Sequence, residues 1–278
     1  MRRSYIPAFC ALSMTVYLVA TWIAPALPRA VDWETVFYPA TRAVWATGSP
    51  YVQGFLNPPW AILPLLGCGL APAPVGRALL FLMSLAAFAY LAIRLGGTPV
   101  TTGLFLLSPP VMHCLLNGNI DWLVLLGLLV PPQWGLFLVI LKPQMGLGVA
   151  IYWAWDAWRQ GRWKQLYHTL APVGLALSMS FVVYGPWPLT LIGQPDKPWN
   201  ASLWPLLIPV GLVLLVRALR SEGDTGRDYA LAAGPCLAPY IMFHSYVGLL
   251  VPLLRKPIEM AIAVGGLWVA VLITGGLM

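Results

Sequence analysis

Apolar runs separated by short polar stretches set the pattern of this chain. The first run extends from Tyr5 to Trp22, about 18 residues, close to the roughly 20 that a helix needs to cross a bilayer. It is too long for an ordinary signal-peptide core, so an uncleaved first helix is expected, with Arg2 and Arg3 in the cytoplasm. Further apolar runs cover 59–70, 78–93, 99–116, 122–130, 134–153, 166–184, 203–219, 229–243, 246–254 and 258–277. Several are too short to span alone, and many of the 27 prolines stand at their ends. Broken helices at membrane depth survive only where protein or a water-filled cavity covers the loosened backbone. The pattern therefore predicts an all-α membrane protein. It would be a polytopic helical bundle of about 9–11 membrane segments, some short and broken. Residues 1–278 read as a single transmembrane domain, without internal repeat or soluble module.

Residues 25–57 are the longest stretch that is not plainly a span. Within it, 32–46 has the composition of a helix lying in the interface, because aromatic side chains suit the headgroup zone. Gly48 and Pro50 supply its stop. The orientation of the first helix puts this stretch outside the cytoplasm. In the second half, "WDAWRQGRWKQ" (155–165), "RALRSEGDTGR" (217–227) and "LLRKP" (253–257) are basic and read as cytoplasmic loops. Residues 185–202 and the region around 241–246 then face outside. Between 59 and 153 the pattern does not separate full spans from re-entrant pairs.

Composition sharpens the class. Of 278 residues, 59% are hydrophobic and 9% charged, against about 25% charged in a soluble domain. The net charge of +7 gathers in short polar stretches, which the positive-inside rule explains without nucleic acid. Cys10, Cys68, Cys114 and Cys236 are scattered through apolar runs, with no disulfide or metal pattern.

Against this background, each ionisable or amide side chain near a membrane segment is a functional candidate. Asp32 and Glu34 follow the first helix. They are either a solvated loop pair or a carboxylate placed at the water–lipid boundary to act as a base. Asn117, Asn119 and Asp121 surround Gly118 at a turn between two apolar runs, where capping is the alternative role. Lys142 lies just before Pro143, where a cation beside a helix break can hold a phosphate or snorkel to an interface. Asn200 and Ser202 stand at the predicted opening of the next helix, where capping or anion binding would use them. His244 and Tyr246 occupy a predicted outer helix end. Arg29 and Arg42 either neutralise the two acids or, for Arg42, contact a lipid phosphate. No P-loop, nucleophile elbow, zinc helix or dinucleotide fingerprint is present.

In this order the candidates resemble the integral-membrane glycosyltransferase family 87 of the GT-C superfamily. The matching residues are Asp32 with Phe37 and Tyr38, then Gly48, Pro50 and Tyr51, then Pro58 and Pro59. They continue with Gly118-Asn119-Ile120-Asp121, Lys142-Pro143-Gln144, Asn200-Ala201-Ser202-Leu203, and Pro239 with His244-Ser245-Tyr246. Asn119 and Asp121 depart from the family's Gln and Asn at that turn, and the chain is short for the family.

The resemblance implies a GT-C-like bundle with an extracytoplasmic interfacial helix. It implies inverting transfer of a sugar, mannose or a similar hexose, from a polyprenyl-phosphate sugar to a glycan or glycolipid acceptor. Asp32 would be the general base and Glu34 its neighbour or fallback. His244, Lys142 and Arg42 would hold the leaving phosphate, while Asn119, Asp121, Asn200 and Tyr246 orient sugar or acceptor. No metal or other cofactor is expected, since a monophosphate held by cationic side chains does not demand one. The expected location is a prokaryotic plasma membrane, multi-pass, N-terminus inside and active site outside. A transporter or flippase for a lipid-linked sugar would share the broken helices and outer cavity. A noncatalytic membrane subunit is the third class.

Overall fold

The computed structural model describes residues 6–191 and 199–274. Arg2 and Arg3, and the part of the predicted outer loop around Asp196 and Lys197, lie outside the described residues. Among the described residues the protein is all-helical, 79% helix, with no strand. The α-helices, in order, are α1 (Ile6–Ile23), α2 (Tyr38–Thr47), α3 (Ala73–Arg94), α4 (Pro99–Leu106), α5 (Pro109–Asn117) and α6 (Asp121–Leu126). They continue with α7 (Pro132–Val139), α8 (Pro143–Tyr184), α9 (Ile208–Arg220), α10 (Gly223–Leu237), α11 (Val247–Leu250) and α12 (Pro257–Thr274).

Among the described residues, four helical segments are long and apolar enough to cross a membrane: Ile6–Ala26, Ala73–Arg94, Pro143–Tyr184 and Pro257–Thr274. The pair α4 and α5, bent by 54°, makes a fifth if taken as one broken span. Their apolar composition suits a lipid bilayer. The 9–11 segments expected from the apolar runs are not all long helices here. The run 59–70 forms two 3₁₀ turns, Pro59–Leu65 and Cys68–Leu70, with Pro64 inside the first. Proline withholds an amide N–H and disfavours a regular α-helix through such a stretch.

The polar stretch 155–165, read as a loop, is where the two helical arms of α8 meet. Its Trp, Ala, Gln, Arg and Lys residues are compatible with a helix, so polarity alone does not end one. The break is local, at Gly161 and Arg162, whose φ of −154° and 53° leave the helical region.

The chain divides into two compact units. One comprises Met1–Phe55, Pro59–Ala86 and Leu115–Asn119. Here Ala20 and Ala24 pack on Ala78 with Ile23, Leu27, Val75, Leu79 and Leu82 around them. Small residues permit that close approach. The buried Arg77 donates through Nη2 to the Ala24 carbonyl (2.8 Å) and through Nη1 to the Pro28 carbonyl (2.6 Å). It thereby ties the chain just beyond α1 to α3. Gly48, at φ +79°, ends α2, as the sequence predicts.

The other unit comprises Leu56–Pro58, Ala87–Cys114 and Ile120–Met278. Helices α7, α9 and α10 pack on α8. Glycines allow the contacts: a Cβ on Gly148 would strike the Ala230 carbonyl, and one on Gly146 the Val139 carbonyl.

Candidate functional site

Two polar clusters stand out, one in each unit. The first is built on the segment after α1. A π-helical turn, Trp33–Phe37, leads into α2. Trp33 is fully buried, and its indole N–H donates to the Ala73 carbonyl (2.9 Å). Phe37 packs edge-on against Phe55, with ring centres 6.4 Å apart. These anchors fix the turn at whose start Asp32 stands, half-buried. Its carboxylate makes no capping bond to that turn.

Instead, Asp32 Oδ2 accepts from Asn117 Nδ2 (2.7 Å) and from Asn119 Nδ2. Asn117 Oδ1 in turn accepts from the Val31 amide N–H (3.1 Å). Only one orientation of the Asn117 amide satisfies both contacts, so the side chain is fixed from both ends. The turn that presents the two amides depends on Gly118. Its φ is +70°, and a Cβ there would lie 2.7 Å from the Trp33 Cβ. Glycine meets both demands, left-handed backbone and close approach.

Glu34 points to different partners. It pairs with Arg29 Nε (2.9 Å) and with Arg77 Nη1 (3.5 Å). Arg42 is exposed on α2.

The second cluster gathers three helix breaks. Asp121 is the first residue of α6, the cap position is Ile120, and no side chain caps that helix. Lys142 precedes Pro143 with extended backbone (φ −134°, ψ 89°), the conformation favoured before proline. His244 lies in a 3₁₀ turn, Phe243–Tyr246. Asp121 is wholly buried and Lys142 is 6% exposed.

Lys142 Nζ pairs with Asp121 Oδ1. His244 Nδ1, also wholly buried, lies 2.5 Å from Asp121 Oδ2, and Ser245 Oγ donates to the same oxygen at 3.0 Å. His113 stacks on His244, with ring centres 5.4 Å apart and planes 19° from parallel. A buried carboxylate is costly unless paired and hydrogen-bonded, and this one has an ammonium, an imidazole and a hydroxyl.

Asn200 and Tyr246 serve the backbone. Asn200 Oδ1 accepts from Ser202 N (3.0 Å) and Ile241 N (3.1 Å), while its Nδ2 donates to the Pro239 carbonyl (3.1 Å). Ser202 Oγ donates to the Ala238 carbonyl (2.6 Å), and the Tyr246 hydroxyl to the Ala201 carbonyl (2.8 Å). Together they stitch 200–202 to 238–246. The helix predicted to open at Asn200 begins at Ile208.

The structure thus joins Asn119 to Asp32, and Asp121 to Lys142 and His244. Asn117 completes the first cluster, and Ser245 and His113 the second. Arg77 escaped the sequence reading, although a lone arginine near the start of an apolar helix was a usable signal. Among the described residues no group of three or more His, Cys, Asp or Glu is arranged to hold a metal ion. Comparison with family models, curated proteins and solved structures gave no match.

Proposed function

We propose that the protein is a multi-pass membrane glycosyltransferase that moves a hexose from a polyprenyl-phosphate donor to an extracytoplasmic glycan or glycolipid hydroxyl. One observation carries the reading: the half-buried Asp32 carboxylate, just beyond an apolar helix long enough to cross a membrane, accepts from two side-chain amides that set its orientation. Neutral amides orient a carboxylate without cancelling its charge, which suits a general base. Glu34 is engaged by two arginines.

In the proposed reaction Asp32 takes the proton of the acceptor hydroxyl. The hydroxyl oxygen forms a bond to the anomeric carbon, and the bond from that carbon to the phosphate oxygen breaks. Polyprenyl phosphate leaves, and configuration inverts. The leaving phosphate gains negative charge and needs cations or donors.

The buried Asp–Lys–His cluster supports a second reading, a transporter for a lipid-linked sugar, because proton relays use such groups. Purified protein, a panel of polyprenyl-phosphate sugars and candidate acceptors separate the two. Acceptor-dependent release of polyprenyl phosphate supports the transferase. Movement of intact donor across vesicles without product supports the transporter.

A further inference from the structure

The two arms of α8 meet at the Gly161–Arg162 break, and a wide-open apolar groove of about 380 Å³ lies beside it. Ile151, Ala154, Trp155, Trp158, Leu166 and Leu219 line it. These six side chains come from both arms of α8 and from the end of α9. The wall is fixed, since the Trp155 indole N–H donates to the Leu219 carbonyl (3.0 Å). All of these residues belong to the second unit.

The surrounding charge is predominantly basic. The Arg162 guanidinium lies over the Trp158 ring, 5.3 Å from its centre. Arg162 is the one non-glycine residue at positive φ among those described. Such backbone strain is often retained where it serves a site. Arg217 and Arg220 flank Leu219 on the last turn of α9. Across 155–166 and 217–222, Arg159, Arg162, Lys164, Arg217 and Arg220 stand against only Asp156 and Glu222. Glu222 is committed to Arg159 (2.7 Å), which leaves a basic excess.

We propose that this groove binds an anionic phospholipid of the surrounding bilayer. One acyl chain fills the apolar groove, and the headgroup phosphate sits on the guanidinium side chains of Arg162 and the α9 end. A water-soluble anion would leave the tryptophan-lined wall exposed. A zwitterionic lipid would leave the basic excess unmatched. Basic clusters beside apolar helices at a membrane surface recognise anionic headgroups in this way, each cation being worth on the order of fivefold in affinity. The inference is independent of the proposed transferase activity.

Tryptophan quenching by brominated lipids tests it on the full chain in lipid nanodiscs. Brominated phosphatidylglycerol is compared with brominated phosphatidylcholine at equal mole fraction. The expected result is stronger quenching by the anionic lipid, with a preference on the order of fivefold or more. The excess should vanish in Trp155→Phe/Trp158→Phe, which removes the reporters. It should fall toward unity in Arg162→Gln/Arg220→Gln and weaken as salt is raised. Equal quenching by the two lipids in the unaltered protein would overturn the proposal. So would a preference unchanged in both double variants. If the arginine variant loses its cooperative melt, the salt series on the unaltered protein decides, and a preference insensitive to salt overturns the proposal.

Discussion

Asp32 and Asp121 are both carboxylates beside chain turns, yet their surroundings give them different work. Two neutral amides hold Asp32, so losing one should loosen its aim rather than the fold. Asn119→Ala is expected to lower kcat of the proposed transfer by roughly 10²-fold, the cost of a slightly misplaced catalytic group, with little change in melting. Single-turnover kinetics beside a thermal melt checks this.

Asp121 faces Lys142, His244 and Ser245 in a buried setting. Asp121→Leu should destabilise by about 3–5 kcal/mol, because it strips a buried ammonium of its carboxylate. Asp121→Leu/Lys142→Met should recover much of that loss. Thermal melts of the two singles and the double, read as a double-mutant cycle, measure the coupling. Additive losses would show that the pair is not coupled.

At the scale of elements, turns rather than long helices carry the polar chemistry. Gly118 supplies the turn between α5 and α6, and Gly118→Ala should cost more than about 1 kcal/mol through its positive φ and the approach to Trp33. It should also reduce transfer by displacing both asparagines, and activity and melting measured together check it.

Asp224, at the start of α10, is held below the usual carboxylate range by its hydrogen bond from Arg255 (2.6 Å), with Arg227 adding to the effect against an opposing penalty from burial. A carboxyl depressed in the folded state contributes stability above its unfolded pKa, about 3.9, and loses it as pH falls through the folded value. The side chain is 52% exposed, so the contribution is at most about 1 kcal/mol after screening. Melting should fall below about pH 4, and Asp224→Asn should shed that part of the acid sensitivity.

Much of this element scale was legible in the sequence. Gly48 stops α2, Pro143 breaks the chain beside Lys142, and Gly118 turns it, because glycine and proline act locally. The partner of His244 was not legible. Asp121 lies 123 residues away, and no local pattern pairs them. The 155–165 stretch was legible in part: two helical arms do meet within it, at Gly161 and Arg162, while the residue types on either side keep the flanking turns helical.

At the scale of the whole molecule, the basic stretches predict sidedness. In a background without the four native cysteines, Thr47→Cys should react with a membrane-impermeant maleimide in intact cells, whereas Lys164→Cys should react only after permeabilisation. Equal labelling of both from outside would contradict the proposed orientation.

The central claim is that Asp32 is the base of a sugar transfer, and the most direct measurement is acceptor-dependent release of polyprenyl phosphate by purified Asp32→Asn beside the unaltered protein. The account predicts turnover by the unaltered protein with its preferred polyprenyl-phosphate sugar. Asp32→Asn should melt at a similar temperature yet lose at least about 10²-fold in kcat. Full turnover by Asp32→Asn would contradict the account.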